Sequence, residues 1–158
     1  MKPYIRWMIR KDLEPVIDIE NKVFEFPWKE EDFVRCLRQR HCIGMVAEFD
    51  DEILGYMIYE LFKEKLHVYN FAVHPKAQRT GVGKCMVDKL KGKLSHQRRY
   101  SVNLEIRESN LAAQLFFRKM GFRATCVLKG FYDGEDAYAM VYLYTFSEPA
   151  KNRITKWL

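Results

Sequence analysis

The run Asn70-Phe71-Ala72-Val73-His74-Pro75-Lys76-Ala77-Gln78-Arg79-Thr80-Gly81-Val82-Gly83 is suited to receive an anion. Val68, Phe71 and Val73 read as an apolar strand that stops at His74-Pro75. A basic loop with two glycines follows, and from Val82 the apolar positions Met86, Val87 and Leu90 carry a helical period. The first turn of a helix has unsatisfied N–H groups and the positive end of the dipole, and glycine lets a phosphate approach the backbone. Two familiar phosphate loops do not fit. A Walker loop needs Gly at 78 and Ser or Thr at 85, where the chain has Gln78 and Cys85; the dinucleotide fingerprint needs a third glycine where Met86 stands.

A second chemical feature is a carboxylate. In Val102-Asn103-Leu104-Glu105-Ile106, period-two alternation puts Val102, Leu104 and Ile106 on one face and Asn103 and Glu105 on the other. A central strand beside a parallel neighbour is usually covered on both faces, so a polar pair there predicts an open cleft. A partly buried carboxylate in a cleft has its pKa raised and can accept a proton, directly or through water. The plainer alternative is a solvent-facing or salt-bridged glutamate.

The elements that must hold these residues alternate along the chain without repeats or low-complexity linkers. Strands are predicted at Tyr4–Met8, Ile43–Phe49, Glu52–Phe62, Lys65–Val73, Val102–Ile106, Phe122–Phe131 and Ala137–Tyr144. Helices are predicted from Asp12, at N-cap spacing, to Val23, and over Lys29–Gln39, Val82–Leu94 and Leu111–Met120, the last capped by Asn110 and ended by Gly121. Asp50-Asp51 reads as the turn of a hairpin, and Asp133-Gly134-Glu135-Asp136 as the turn of a closing one. Residues 1–148 read as one α/β (α+β) domain, and 149–158 as a polar, basic tail.

Composition bounds the function. Hydrophobic residues are 48% and charged residues 30% of the 158, a globular balance. No apolar run approaches the ~20 residues that cross a bilayer, and the N-terminus lacks a signal-peptide core, so a cytoplasmic, membrane-free protein is expected. Cys36, Cys42, Cys85 and Cys126 are scattered, which argues against a zinc site or a disulfide framework and predicts no metal. The net charge of +6 and pI of about 9.1 concentrate in lysines and Arg79 near the anion loop. An anionic cofactor accounts for much of that charge, and nucleic acid, lacking an interleaved aromatic motif, is not expected.

Gln78-x-x-Gly81-x-Gly83 after Ala72-Val73 resembles the acetyl-coenzyme A pyrophosphate loop of the GNAT acyltransferase superfamily. The element order β-α-α-β-β-β-α-β-α-β-β is similar to the GNAT fold, with its mixed central sheet, over nearly the whole chain. Phe26-Pro27-Trp28, Asn70-Phe71-Ala72-Val73 and Leu104-Glu105-Ile106-Arg107-Glu108-Ser109-Asn110-Leu111-Ala112-Ala113 with Gly121-Phe122 resemble the bacterial ribosomal-protein alanine N-acetyltransferases. The resemblance implies an acetyl-coenzyme A-dependent N-acetyltransferase that works by direct transfer in a ternary complex. Its acceptor would be a protein N-terminus, of a small-subunit ribosomal protein. The resemblance assigns the pyrophosphate to Gln78, Arg79, Thr80, Gly81, Val82, Gly83 and Lys84, and the pantetheine arm to the backbone of Phe71, Ala72 and Val73 and to Asn110. It assigns the general base to Glu105, and a substrate wall to Phe26, Trp28 and Tyr138, each of which has plain packing as its alternative.

One position departs from that pattern. Relatives carry a tyrosine, proposed to protonate the leaving thiolate, where this chain has Phe117, which keeps a place beside the cofactor but has no proton to give. Tyr132 resembles the family's substrate-side tyrosines and is the candidate replacement, with an ordinary strand aromatic as the alternative. A thiolate of free pKa ~8.5 also leaves without much help. Two other functions stay open at this point: acetylation of a small amine or lysine side chain, and an impaired domain that senses acetyl-coenzyme A.

Overall fold

Period-two patterning becomes seven strands in the computed structural model, which describes residues 2–144. They are β1 (Tyr4–Trp7), β2 (Cys42–Phe49), β3 (Glu52–Leu61), β4 (Lys65–Val73), β5 (Ser101–Arg107), β6 (Arg123–Tyr132) and β7 (Glu135–Leu143). Four helices interleave with them: α1 (Leu13–Val23), α2 (Glu30–Leu37), α3 (Val82–Lys91) and α4 (Leu111–Lys119). The sheet order is β1-β2-β3-β4-β5-β7-β6, and each neighbouring pair is antiparallel except β4 and β5. This is the mixed-sheet GNAT fold that the element order predicts. The β2–β3 turn is Asp50-Asp51, with φ of 50° and 62°, the mirror-image geometry that matches strand twist and that aspartate tolerates.

Alternation divides the core between the two faces. Met57, Tyr59, Leu66, Val68, Val102, Leu104 and Ile106 bury one face under Met86, Val87 and Leu90 of α3 and Phe117 of α4. Val46, Tyr56, Ile58 and Ala72 bury the other under Val16 and Ile19 of α1 and Phe33 of α2.

Two irregularities in β4 make the site. Ile58 pairs with Asn70 but Tyr59 pairs with Val68, so Tyr69 is an extra residue, a bulge. Val68 and Phe71, three apart, therefore pack on the same face. Beyond the bulge β4 leaves β5: their pairing runs only from Lys65↔Ser101 to Val68↔Leu104. Asn70–Val73 stays bound to β3, while Glu105–Arg107 continues beside β7. The parallel pair thus splays at its carboxyl end, where ligands of α/β sheets gather.

Two expectations change. The predicted first helix begins as a 3-10 turn, Arg10–Asp12, and Asp12 makes no side-chain cap to α1. Its carboxylate turns back instead, accepting from Arg6 Nη1 at 2.7 Å, Arg6 Nη2 at 3.0 Å and the Ile9 N–H at 2.8 Å. The cysteines are less scattered than their spacing suggests: the Cys36 and Cys42 sulfurs lie 3.0 Å apart, both thiols free. The tail at 149–158 lies outside the described residues.

The Arg6–Asp12 pair has a consequence for stability. Burial pushes the Asp12 carboxyl up, but the guanidinium fork and the Ile9 N–H outweigh it and hold it below its ordinary value. A carboxyl depressed by folding contributes stability that is full above its unfolded pKa of ~3.9 and is lost as pH falls through the folded value. Asp12→Asn should therefore cost roughly 2–3 kcal/mol at pH 7, under the 3–5 kcal/mol typical of broken buried pairs. The loss is smaller because Arg6 is 21% exposed and keeps Glu48 at 3.0 Å. The difference between parent and variant, measured by urea unfolding, should shrink toward pH 3; a constant difference from pH 7 to 3 would remove the pair from the account.

Candidate active site

Glu105 faces the splay. Its neighbours Leu104 and Ile106 enter the core under α3 and α4, so alternation turns Glu105 to the α1–α2 side. Its Oε2 lies 2.8 Å from His67 Nε2, on the adjacent strand, and the two side chains are 17% and 16% exposed. The His67 ring stacks on Tyr69 with centroids 5.1 Å apart, which fixes its plane. An imidazole held this way keeps one carboxylate oxygen of Glu105 in place at the cleft.

A second carboxylate, Glu20 of α1, is 1% exposed and anchors the floor. Oε1 accepts the Trp28 N–H at 2.8 Å; Oε2 accepts Asn70 Nδ2 at 2.8 Å and the Tyr56 hydroxyl. Burial pushes its pKa up, opposed by the bonds from Trp28 and Asn70. With three donors bound to it, Glu20 is an organiser: it fixes the 24–29 loop and, through Asn70 Oδ1 to the Phe71 N–H at 2.9 Å, the bulged strand.

The walls come from that loop and from the β6–β7 hairpin. Phe26, Trp28, Phe71, Glu105, Asn110, Phe117 and Tyr132 line one cavity of about 280 Å³ with Glu20. The Tyr132 hydroxyl donates to the Glu105 backbone carbonyl at 3.4 Å. Burial, then the Glu105 charge, raises its pKa. Phe117 is 5% exposed and packs against Phe71, Phe116 and Phe122 at 5.0–5.2 Å between centroids. Asn110 caps α4, its Oδ1 accepting the Ala113 N–H at 3.1 Å.

The anion loop lies at the far end of β4. Gly81 is the N-cap of α3 with φ of 95° and no side-chain cap, and Arg79 is also left-handed at φ 65°. Successive residues of opposite backbone hand form a concave nest of N–H groups, here continuous with the first turn of α3. Gln78 Nε2 holds the loop to β4 through the Val73 carbonyl at 3.2 Å, and Thr80 Oγ1 donates to the Ala77 carbonyl. The donors offered are therefore backbone, and Lys84 Nζ is engaged by Asp88 at 2.7 Å. Lys76 pairs with Glu52, so part of the positive charge read near this loop is neutralised. These features fit the pyrophosphate of acetyl-coenzyme A, and the β4 edge beyond the bulge fits its amide-bearing arm.

One site residue gains a second role and another falls outside the cleft. Gly83 is buried, and a Cβ there would lie 2.9 Å from Phe116 Cζ, so helix packing also requires this glycine. Tyr138 pairs with Ile106, not with Glu105, and so falls on the α4 face. It lines a groove with Leu111 and Leu115 across the sheet from the cleft. Among the other predicted residues, Ala72 is buried against α1 and α2, leaving only its backbone for a ligand. Sequence reading missed His67, Glu20 and Arg107. His67 is separated from Glu105 by 38 residues, and only the β4–β5 register joins them.

The profile of the acetyltransferase (GNAT) family matches residues 13–122. The chain is 28% identical over 133 residues to the [ribosomal protein bS18]-alanine N-acetyltransferase of Escherichia coli K12, covering 82% of this chain and 89% of that one. It is 29% identical over 143 residues to an N-alpha-acetyltransferase of Sulfurisphaera tokodaii, covering 82% and 86%. The crystal structure of Ard1 from Thermoplasma volcanium superposes with a TM-score of 0.83 at 25% identity, covering 92% of this chain and 100% of that one. Family match, splayed sheet and anion nest agree: the chain belongs to the acetyltransferase (GNAT) family and is an acetyl-coenzyme A-dependent N-acetyltransferase.

Proposed function

We propose that the protein acetylates the α-amine of a protein N-terminus, a small-subunit ribosomal protein being the acceptor class that the relatives' names favour. The observation that carries the mechanism is Glu105, held by His67 at 2.8 Å on the open side of the splay. An amine attacks only when neutral, and the Glu105 carboxylate takes its proton as the new N–C bond forms. The C–S bond breaks in the same transfer, with its electron pair leaving on sulfur. The β4 edge and the nest at Gly81 position the acetyl donor; Phe26 and Trp28 form the acceptor wall. Nothing in this scheme needs a covalent acyl-enzyme, and no cysteine lines the cavity among the described residues.

A peptide pair tests the acceptor. Peptides beginning with the bS18 N-terminal sequence should be acetylated with the α-amine open and not with it blocked, even when they contain lysine. Transfer to the blocked peptides would overturn the assignment in favour of a lysine acceptor.

The leaving group is a separate question. The Tyr132 hydroxyl is directed to a backbone carbonyl, and its raised pKa makes it a weaker acid than a free phenol. Thiolate departure without an acid suits both facts, since the thiol's pKa of ~8.5 is near ambient. Tyr132→Phe and Phe117→Tyr should then each change kcat by less than about threefold, and additively. A large loss in Tyr132→Phe that Phe117→Tyr rescues would instead make Tyr132 the acid, as a double-mutant cycle would read directly.

A further inference from the structure

Arg107 stands where the two walls of the cleft meet. It follows Glu105 on the same face of β5, and its guanidinium carbon lies 4.5 Å from the Phe26 ring centroid and 4.0 Å from that of Tyr132. Phe26 belongs to the loop between α1 and α2; Tyr132 belongs to the β6–β7 hairpin. These two segments are joined here through one side chain rooted in the rigid strand between them. The hairpin end of the joint is fixed a second time: Glu135 accepts from Arg107 Nη1 at 3.2 Å and from the Ser109 N–H at 2.8 Å. A planar cation between two rings is a contact that arginine makes and lysine does not, because only the guanidinium can stack on both faces.

The position of this joint gives it a function. Phe26 is 59% exposed, and among the described residues its ring belongs to neither core. Without Arg107 the loop would keep its anchors on either side of Phe26, Phe24 and Trp28 packed on the α1–α2 core and the Trp28 N–H on Glu20, with none of them holding the Phe26 ring itself. We infer that Arg107 is a positioning residue, a clasp that ties the 24–29 loop to the β6–β7 hairpin and so sets the width of the acceptor groove. This deepens the proposed N-terminal acetylation and rests on it for the identity of the acceptor. The clasp is the guanidinium, whose contacts are Phe26, Tyr132 and Glu135 and not the nest at Gly81 or the β4 edge; the Arg107 carbonyl, which accepts the Asn110 N–H at 3.0 Å, is kept in any side-chain variant. Its loss should therefore separate the two substrates kinetically.

The experiment is steady-state kinetics with an N-terminal peptide and acetyl-coenzyme A, together with hydrogen exchange of the protein by itself. Arg107→Ala should raise the peptide KM about tenfold, the scale of two cation–π contacts, with kcat and the acetyl-coenzyme A KM within about twofold of the parent. Arg107→Lys should recover only part of that loss. Phe26→Leu should raise the peptide KM as well, and combining it with Arg107→Ala should add little, since both remove one joint. Amides in 24–29 and at the hairpin should exchange faster in Arg107→Ala, with protection of α3 and its loop unchanged. If the parent acetylates no peptide, the acceptor reading fails, and the exchange result still decides whether the clasp exists. Unchanged exchange in 24–29, additive effects in the cycle, or equal losses on both substrates would each overturn the clasp.

Discussion

Glu105→Gln should lower kcat by roughly 10²–10⁴ at neutral pH while leaving acetyl-coenzyme A affinity nearly constant. The substitution keeps the shape of the side chain and an oxygen that can accept from His67, so the 2.8 Å contact and the strand register survive. What it removes is basicity. The other carboxylate of the cavity cannot take over, because Glu20 is buried and its oxygens are occupied by Trp28, Asn70 and Tyr56. Affinity should be unaffected because the anion nest lies at the opposite end of β4 and is made of backbone. A drop of less than about threefold in kcat at pH 7 would return Glu105 to a structural pairing with His67. A drop in acetyl-coenzyme A affinity of the same size as the drop in kcat would do so too, since it would reveal a collapsed cleft.

Much of this geometry was legible in the residues, and what was not has a physical reason. Strand alternation in Val102–Ile106 was enough to separate Glu105 from the core, and the two-residue loop at Asp50-Asp51 was enough to predict the hairpin that the positive φ values complete. The bulge carries a signal that a plain strand reading passes over. Leu66 and Val68 are even-numbered core positions, Phe71 and Val73 odd-numbered, and the change of parity at Tyr69 is the insertion itself. Long-range partners are different in kind. That His67 meets Glu105, or that Arg107 meets Phe26 and Tyr132, depends on the parallel register and on the return of β7 beside β5, which local periodicity does not contain. Tyr138 shows the same limit from the other side. Its alternation with Ala137 and Ala139 was readable, but which set faces the cleft follows only from the pairing with Ile106. Gly83 was singled out for the approach of a phosphate, and the packing neighbour that also demands its smallness, Phe116, lies on a different helix.

Gly81→Val should weaken acetyl-coenzyme A binding by about 10²-fold or more, and Gly83→Val should do so for a different reason. At Gly81 the obstacle is conformational. A φ of 95° is disfavoured for any L side chain and most for a β-branched one, so the loop should leave the left-handed turn. The nest then loses its shape, and N–H groups aimed at the pyrophosphate turn away; hydrogen bonds to a charged group are worth ~1.5–3 kcal/mol each, so losing two accounts for the expected factor. Folding stability should change little, because Gly81 is exposed at the N-cap and the buried face of α3 begins at Val82. At Gly83 the obstacle is steric. The added carbons meet the Phe116 ring, and overpacking of this kind costs ~1–3 kcal/mol of stability. Part of that loss should return in Gly83→Ala when Phe116 is trimmed to Leu, a rescue that has no counterpart at Gly81. Calorimetry with acetyl-coenzyme A and thermal unfolding of the same variants separate the two mechanisms. Unchanged affinity in Gly81→Val would mean that this loop does not hold the pyrophosphate.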